Sequence, residues 1–362
     1  MQFTCTYTFF FTVPFPHSEP IMDLIPPGTN LSGVPAGIPP QGVTPNFVDP
    51  PSRAWAARVS VYTSVPAMVV FFVLRLYVRL FVSHSFGADD YTCIIAVIVT
   101  VSFCGVLVSQ FADDDIWGRH LWDITLETLL FEATFYLKSI VITGALYNVA
   151  AVFIKSTFLI LYLRLFHTVR QLRIWILGGL VSIVTFHLLV TILVLDFCIP
   201  HEGDGGWGSQ KYNSRCGINY LRLNTAQGVV STLTDFYILA IPVTTVLSLQ
   251  LSKKKRIGVA AIFLTGLLAT VFSVVGVVYR FKDVLTSPPD YTWYSLWLLP
   301  LGVAELNVGI ICTCMPIVFG ALGELRQQTI SAWSYCKGAL GISRETSPDK
   351  DLTCDSNGLD IL

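Results

Sequence analysis

Hydrophobic residues along the chain fall into seven long blocks that are separated by short polar stretches. The blocks cover residues 59–80, 91–112, 139–163, 174–195, 223–251, 257–279 and 293–319. Because a helix rises about 1.5 Å per residue, each block is long enough to cross the roughly 30 Å of hydrocarbon in a bilayer. The pattern therefore predicts an all-α membrane protein, a bundle of seven transmembrane helices.

Composition agrees with a membrane location. The chain is 53% hydrophobic and only 13% charged, whereas a soluble domain carries about 25% charge. The formal net charge is −1, so nothing in the charge balance indicates nucleic acid as a partner. The composition therefore indicates the lipid bilayer as the partner. The membrane could be the plasma membrane or an endomembrane.

Basic residues mark one side of the membrane. Arg75 and Arg79 close block one, where their four-residue spacing lets both side chains extend to one interface. Arg164 follows block three, and a Lys-Lys-Lys-Arg run at 253–256 follows block five. Alternate loops lie on the same side, and basic loops favour the cytosol. The N-terminus is therefore predicted outside and the C-terminus in the cytosol.

Two features of the predicted outer side are independent of charge. Asn30 begins an Asn-Leu-Ser sequon, which predicts N-glycosylation in the lumen. Cys198 and Cys216 share the loop after block four, where a luminal location permits a disulfide bond.

Three regions follow from these patterns. Residues 1–54 are rich in proline, glycine and aromatic residues, and they predict a disordered luminal or extracellular arm. Residues 55–322 form the seven-transmembrane domain. Residues 323–362 are polar and predict a mostly disordered cytosolic tail.

Three ionisable residues lie near the middle of their blocks, namely Lys155, Asp235 and Glu305. A charge at the bilayer centre is unfavourable by about 2.5–3.5 kcal/mol and indicates a functional site. We expect the three to meet inside the bundle, with Lys155 flanked by both carboxylates. A structural ion-pair network that fixes helix register fits the same pattern.

Further polar residues repeat at helical spacing around these charges. Asn224, Ser231 and Asp235 share one face of block five, and Asn148 lies seven residues before Lys155. Arg280 adds a positive charge toward the predicted outer mouth.

His120 also lies at the predicted outer mouth, in the same layer as His201, Glu202 and Asp204. Such side chains can bind a metal, but their spacing matches no metal motif. The sequence also lacks a glycine-rich phosphate loop and a Gly-x-Ser-x-Gly elbow. We therefore expect no metal and no cofactor.

Several short motifs together resemble a large family of fungal membrane proteins. They are Arg75-Leu76-Tyr77-Val78-Arg79, Gly87-Ala88-Asp89-Asp90-Tyr91, Trp117-Gly118-Arg119-His120, Cys198-Ile199-Pro200, Thr234-Asp235 and Cys314-Met315-Pro316. The chain is similar, from about residue 56 to 320, to the fungal rhodopsin-domain family, which includes the satratoxin-cluster membrane protein and overlaps the Pth-eleven-like receptor candidates. The resemblance implies a seven-span fold and leaves open a role linked to secondary-metabolite genes.

The seventh block, 293–319, contains no lysine. A retinal Schiff base in the manner of microbial rhodopsins therefore has no attachment point there, and no retinal is expected.

Three classes of function remain open. A receptor or sensor would bind an unknown small molecule at the central charges and act on a cytosolic signalling partner through the 253–256 loop. An intramembrane enzyme, a cyclase or isomerase, would use Asp235 or Glu305 as general acid. A transporter or a scaffold for pathway partners is the third. We favour the receptor over an enzyme and assign no catalytic residue.

Overall fold

Long helices make up nearly all of the regular structure in the computed structural model, which describes residues 30–111, 116–166, 170–207, 209–248, 253–285 and 290–339. In chain order they are α1 Ala54–Tyr77, α2 Ala88–Gln110, α3 Leu126–Leu165, α4 Arg170–Cys198, α5 Gln210–Ser248, α6 Lys253–Leu285, the single turn α7 Tyr291–Tyr294, and α8 Leu298–Ala339. The described residues contain no strand beyond one isolated bridge between Pro35 and Thr125. The predicted all-α class is confirmed.

Among the residues that the structure describes, six stretches are long and apolar enough to cross a membrane. They are Ala54–Val82, Ala88–Gln110, Thr134–Leu165, Arg170–Cys198, Lys211–Val243 and Thr292–Ala321. Large apolar side chains such as Val70, Val181 and Leu233 are exposed on these helices. A surface of this kind suits lipid, and the chain is a multi-pass membrane protein.

Helices α3 and α5 begin well before the hydrophobic blocks that predicted them. Helix α3 begins 13 residues before its block, where Thr125 caps the first turn by accepting a hydrogen bond of 3.1 Å from the Thr128 amide. Helix α5 likewise begins at Gln210. Hydropathy marks only the part in hydrocarbon, whereas caps and intrahelical hydrogen bonds set where a helix ends.

Sequential neighbours pack against each other, α2 on α3, α3 on α4, α4 on α5 and α5 on α6. One apolar core joins α1, α2, α3 and α8, with Met68, Leu107, Ala150 and Leu306 almost fully enclosed. A smaller core around Leu159 lies between α3, α4 and α5.

Residues 30–53, part of the predicted N-terminal arm, make backbone hydrogen bonds to the chain just before α3. The Ala36 amide donates to the Ile124 carbonyl at 2.8 Å, and the Leu126 amide donates to the Val34 carbonyl at 2.8 Å. These hydrogen bonds hold the segment against the loop between α2 and α3. Residues 1–29 lie outside the described part of the chain.

The predicted C-terminal tail, residues 323–362, is described only in its first part. The chain divides into two compact units, Met1–Val318 and Phe319–Leu362. In the second unit the helix continues to Ala339, and residues 340–362 lie outside the described residues.

Candidate functional site

A buried ion pair joins the C-terminal half of α3 to the C-terminal half of α5. The Lys155 ammonium donates to Asp235 Oδ1 at 2.6 Å. It also donates to the Ser231 carbonyl at 2.8 Å, to Ser231 Oγ at 3.0 Å and to Thr234 Oγ1 at 2.7 Å. Lys155 is only 4% exposed. Four oxygen acceptors around one ammonium compensate for the water that it loses on burial.

The sequence of α5 explains this arrangement. Ser231 and Asp235 are one helical turn apart and therefore share a face, with Thr234 beside them. The predicted grouping of Lys155, Ser231 and Asp235 is therefore present in the structure.

Glu305 of α8 lies beside this pair and is held differently. Its Oε2 accepts a hydrogen bond of 2.8 Å from the Tyr147 hydroxyl, and within the described residues it forms no ion pair within 4.0 Å. The Tyr147 ring in turn packs at van der Waals distance from Gly302, where an added Cβ would lie 3.4 Å away. The expected arrangement, with two carboxylates flanking Lys155, is therefore present only on the Asp235 side.

A small cavity of about 60 Å³ lies between α3, α5, α6 and α8. Lys155, Asp235 and Glu305 line it together with Thr270, and the rest of its wall is mainly apolar. Asp235 Oδ2 is enclosed and has no hydrogen-bond partner in the described residues. The space can hold a few water molecules or one small polar group.

Asn148 belongs to a neighbouring cluster rather than to this cavity. Its Oδ1 lies 3.0 Å from His187 Nδ1, and its Nδ2 lies 3.4 Å from Gln227 Oε1. His187 Nε2 is buried and has no hydrogen-bond partner among the described residues. The sequence placed Asn148 correctly on the inner face of α3. Its hydrogen-bond partners on α4 and α5 are determined by how the helices pack and could not be predicted from the sequence.

Arg280 lies inside the bundle, only 8% exposed. Its Nε donates to Asn224 Oδ1 at 3.3 Å, and its Cζ lies 6.0 Å from the centre of the Tyr147 ring. A Cβ at Gly228 would approach Arg280 Cδ to 2.7 Å. Arg280 and Asn224 therefore form one end of a polar track that continues through Tyr147 to Glu305.

His120 lies elsewhere, in the loop before α3. Its ring is stacked between Trp122, at 4.3 Å, and Trp293, at 3.7 Å. Its Nδ1 lies 2.6 Å from Asp290 Oδ2, and Arg53 covers the other face of Trp293 at 3.7 Å. Through Arg53, this stack joins the N-terminal segment to the loop before α3 and to α7.

His201 and Asp204 are separate from that stack. Asp204 Oδ2 accepts from the His201 amide at 2.7 Å and from Arg215 at 2.6 Å. The backbone hydrogen bond from His201, together with the Arg215 guanidinium, lowers the pKa of the Asp204 carboxyl. Among the described residues, no group of three His, Cys, Asp or Glu side chains is placed to hold a metal.

The predicted disulfide is confirmed, because Cys198 and Cys216 are bonded. It joins the end of α4 to the first turns of α5. Asn30 is exposed, and its side chain accepts from the Ser32 amide at 3.1 Å. Glycosylation there stays a prediction.

A second buried charged cluster was missed by sequence reasoning. Arg75 is fully enclosed and donates to Asp89 Oδ2 at 2.7 Å and to Asp90 Oδ1 at 2.9 Å. Arg79 reaches the same Asp89 oxygen at 2.8 Å, and Arg164 reaches Asp89 Oδ1 at 3.1 Å. Arg75 and Arg79 therefore turn toward the carboxylates at the start of α2. The sequence did contain a signal for this cluster. The two arginines are spaced i, i+4, and an Asp-Asp pair begins the next helix.

Residues 74–322 match the family model described as the fungal rhodopsin domain. That range contains the Lys155 ion pair, Glu305 and the cavity between them. No solved structure matches the chain.

Three curated relatives share part of the sequence. Fugralins biosynthesis cluster protein 2 of Gibberella zeae is 27% identical over 89% of this chain and 77% of its own length. A SAT4 family membrane protein of Emericella nidulans is 26% identical over 54% of this chain and 49% of its own length. Satratoxin biosynthesis SC1 cluster protein 4 of Stachybotrys chartarum is 23% identical over 53% of this chain and 67% of its own length.

Proposed function

The chain belongs to the fungal rhodopsin domain family, and from that premise we propose that it is a receptor-like or sensor-like membrane protein with a small-molecule site at its polar centre. The observation that carries the proposal is the cavity beside the Lys155–Asp235 pair. Among the described residues, one oxygen of Asp235 is buried without a hydrogen-bond partner, and Glu305 faces the same space without an ion pair. Buried polar groups with unused hydrogen-bonding capacity favour a polar ligand or ordered water.

We propose seven spans, with the N-terminus outside and the C-terminus in the cytosol. Helix α6, Lys253–Leu285, contains the apolar block 257–279 and is long enough to be the additional span. The disulfide at the α4–α5 connection supports an oxidising compartment on that side. The basic run at 253–256 supports a cytosolic end for α6, and it is where a signalling partner would bind.

Orientation is tested by labelling and by deglycosylation. A cysteine introduced at Ser252 is expected to stay unlabelled by an impermeant maleimide applied to intact cells, and labelling would show the reverse orientation. Asn30→Gln is expected to abolish any shift in mobility that an endoglycosidase produces.

We further propose that the protein works without retinal. Lys155, which lies at this centre, already has four oxygens of α5 within hydrogen-bond distance of its ammonium. The span that follows α7 has no lysine from residue 298 to 319.

A second candidate function is an intramembrane enzyme, a cyclase or isomerase, in natural-product biosynthesis. Two relatives are named as proteins of biosynthesis clusters, and we propose that this chain also serves such a cluster. Glu305 is the candidate general acid, because it is hydrogen-bonded to Tyr147 rather than ion-paired and opens on the cavity.

One strain set separates the two functions. A deletion strain is complemented with the wild type, with Asp235→Asn, or with Asp196→Asn as a control, since Asp196 is 65% exposed. For a sensor we expect Asp235→Asn to reach normal protein levels but to lose the transcriptional response of the cluster genes. For an enzyme we expect one precursor to accumulate in the deletion and Asp235→Asn strains. If Asp235→Asn matches the wild type in transcripts and metabolites, the central site has neither role.

A further inference from the structure

A second cavity lies where α2 ends and α3 begins, away from the central ion pair. Its volume is about 330 Å³, which is within the range of small-molecule sites. Gln110, Ile116 and Trp117 line it together with four side chains of α3 between Phe131 and Tyr136. None of these residues belongs to the central site, so the function proposed above does not use this space.

Aromatic rings make up much of the cavity wall. Trp117 packs on Tyr136 with the two ring centres 4.9 Å apart. Phe131 and Phe135 are one helical turn apart and therefore share a face of α3, and they are 88% and 58% exposed. The face of an aromatic ring is electrostatically negative and attracts a cation.

The sequence around the cavity is strongly acidic. Residues 109–137 contain six Asp or Glu side chains, and Arg119 is their one Lys or Arg. Three of the acids, at 113–115, lie outside the described residues and are counted from the sequence alone, whereas Glu132 lines the cavity itself. Arg58 of α1 also reaches this end of the bundle, yet counting it still leaves an excess of negative formal charge. Aromatic faces beside excess negative charge complement an organic cation.

The disulfide lies at the same end of the bundle. Cys198 and Cys216 belong to one buried cluster with Val141 of α3, and Leu137 packs against that cluster. Leu137 directly follows Tyr136 in the wall of the cavity. The bond supports an oxidising compartment on this side, so the ligand would enter from the lumen or the extracellular solution.

We propose that this cavity binds a free organic ammonium ion that carries no anionic group, with its nitrogen against the aromatic rings. A zwitterionic lipid headgroup offers the same ammonium. Its phosphate, however, would be repelled by the excess of carboxylates around the cavity. The occupant is therefore a soluble cation and not a lipid.

The test compares three probes on the purified full-length protein in maltoside micelles, with empty micelles as the background. Choline carries the ammonium. 3,3-Dimethyl-1-butanol has carbon in place of the nitrogen and is neutral, and phosphocholine adds a phosphate. Calorimetry is expected to give choline an affinity about tenfold or more above that of either other probe.

The exposed phenylalanines test the contribution of the rings. The double variant Phe131→Leu, Phe135→Leu keeps apolar surface but removes two aromatic faces. Choline is expected to bind several-fold more weakly, toward the affinity of the neutral probe. The matched control is Phe236→Leu, an exposed phenylalanine of α5 that does not line the cavity, and it is expected to leave choline binding unchanged.

Glu132→Gln tests the contribution of charge. Removing one carboxylate from the cavity wall is expected to weaken choline several-fold and to narrow the difference between choline and phosphocholine. Asp196→Asn makes the same kind of change at a side chain of α4 that is 65% exposed, and it is expected to alter neither probe.

Four results would overturn the inference. They are no binding of choline, equal binding of its neutral counterpart, binding of phosphocholine as tight as that of choline, and an unchanged choline affinity in the double phenylalanine variant. The third would assign the cavity to a lipid headgroup, and the fourth would show that Phe131 and Phe135 only anchor α3 at the membrane interface. The Asp235→Asn strain tests the central site without these probes, so the two proposals can fail separately.

Discussion

The buried cluster between α1, α2 and α3 gives a quantitative prediction for Asp89→Asn. Asp89 is 1% exposed and accepts from Arg75, Arg79 and Arg164 at 2.7, 2.8 and 3.1 Å. Three arginines meet two aspartates there, which is a surplus of one positive charge. Neutralising Asp89 raises that surplus to two and leaves Arg75 and Arg79 with Asp90 as their one carboxylate in the described residues.

Breaking a buried ion pair on one side typically destabilises a protein by about 3–5 kcal/mol, because the remaining charge stays buried without compensation. We expect a loss of this size in the free energy of unfolding for Asp89→Asn. Arg164→Gln is the matched control in the same cluster. Its side chain is 39% exposed, so water replaces the lost contact, and we expect a loss of only about 0–1 kcal/mol.

The assay is denaturant unfolding of both variants and the wild type in mixed micelles, followed by tryptophan fluorescence and fitted to a common slope. The reasoning is refuted if Asp89→Asn stays within about 1 kcal/mol of the wild type, or if Arg164→Gln loses as much as Asp89→Asn.

Three further predictions concern the connection between α4 and α5 and the aromatic stack. Replacing Cys198 and Cys216 by serine should lower the free energy of unfolding by about 3 kcal/mol, as expected for a disulfide that closes a loop of this length. A reductant should then have no further effect on thermal unfolding of the variant. A variant that melts at the wild-type temperature would contradict this prediction. Because folding lowers the pKa of the Asp204 carboxyl, its ionised form contributes to the free energy of unfolding. This contribution is complete above the pKa of the unfolded state and is lost as the pH falls toward the pKa of the folded state. Asp204→Asn should therefore flatten the acid limb of a plot of stability against pH. His120→Phe should keep the stack but lose the contact with Asp290, and limited proteolysis of the N-terminal segment should accelerate; equal rates would show that stacking alone holds it.

The sequence determined the helices and the membrane location, because both depend on properties of a single segment. Twenty or more apolar residues in a row must satisfy their backbone hydrogen bonds internally when they enter lipid. The same local logic identified Lys155, Asp235 and Glu305, since a charge inside such a block is unfavourable wherever its partner lies. The Cys198–Cys216 bond could also be predicted, because both residues lie in one short connection.

Only the tertiary structure decided the partners. Two carboxylates were equally available to Lys155, and helix packing gave it Asp235 while Tyr147 took Glu305. The direction of Arg75 was also open, because an arginine near a helix end can extend to lipid or turn inward. Asp89 and Asp90 at the start of α2 turned it inward. Such choices depend on the rotation and depth of one helix against another, which are set by side-chain packing across the whole bundle and not by the local pattern of any one segment.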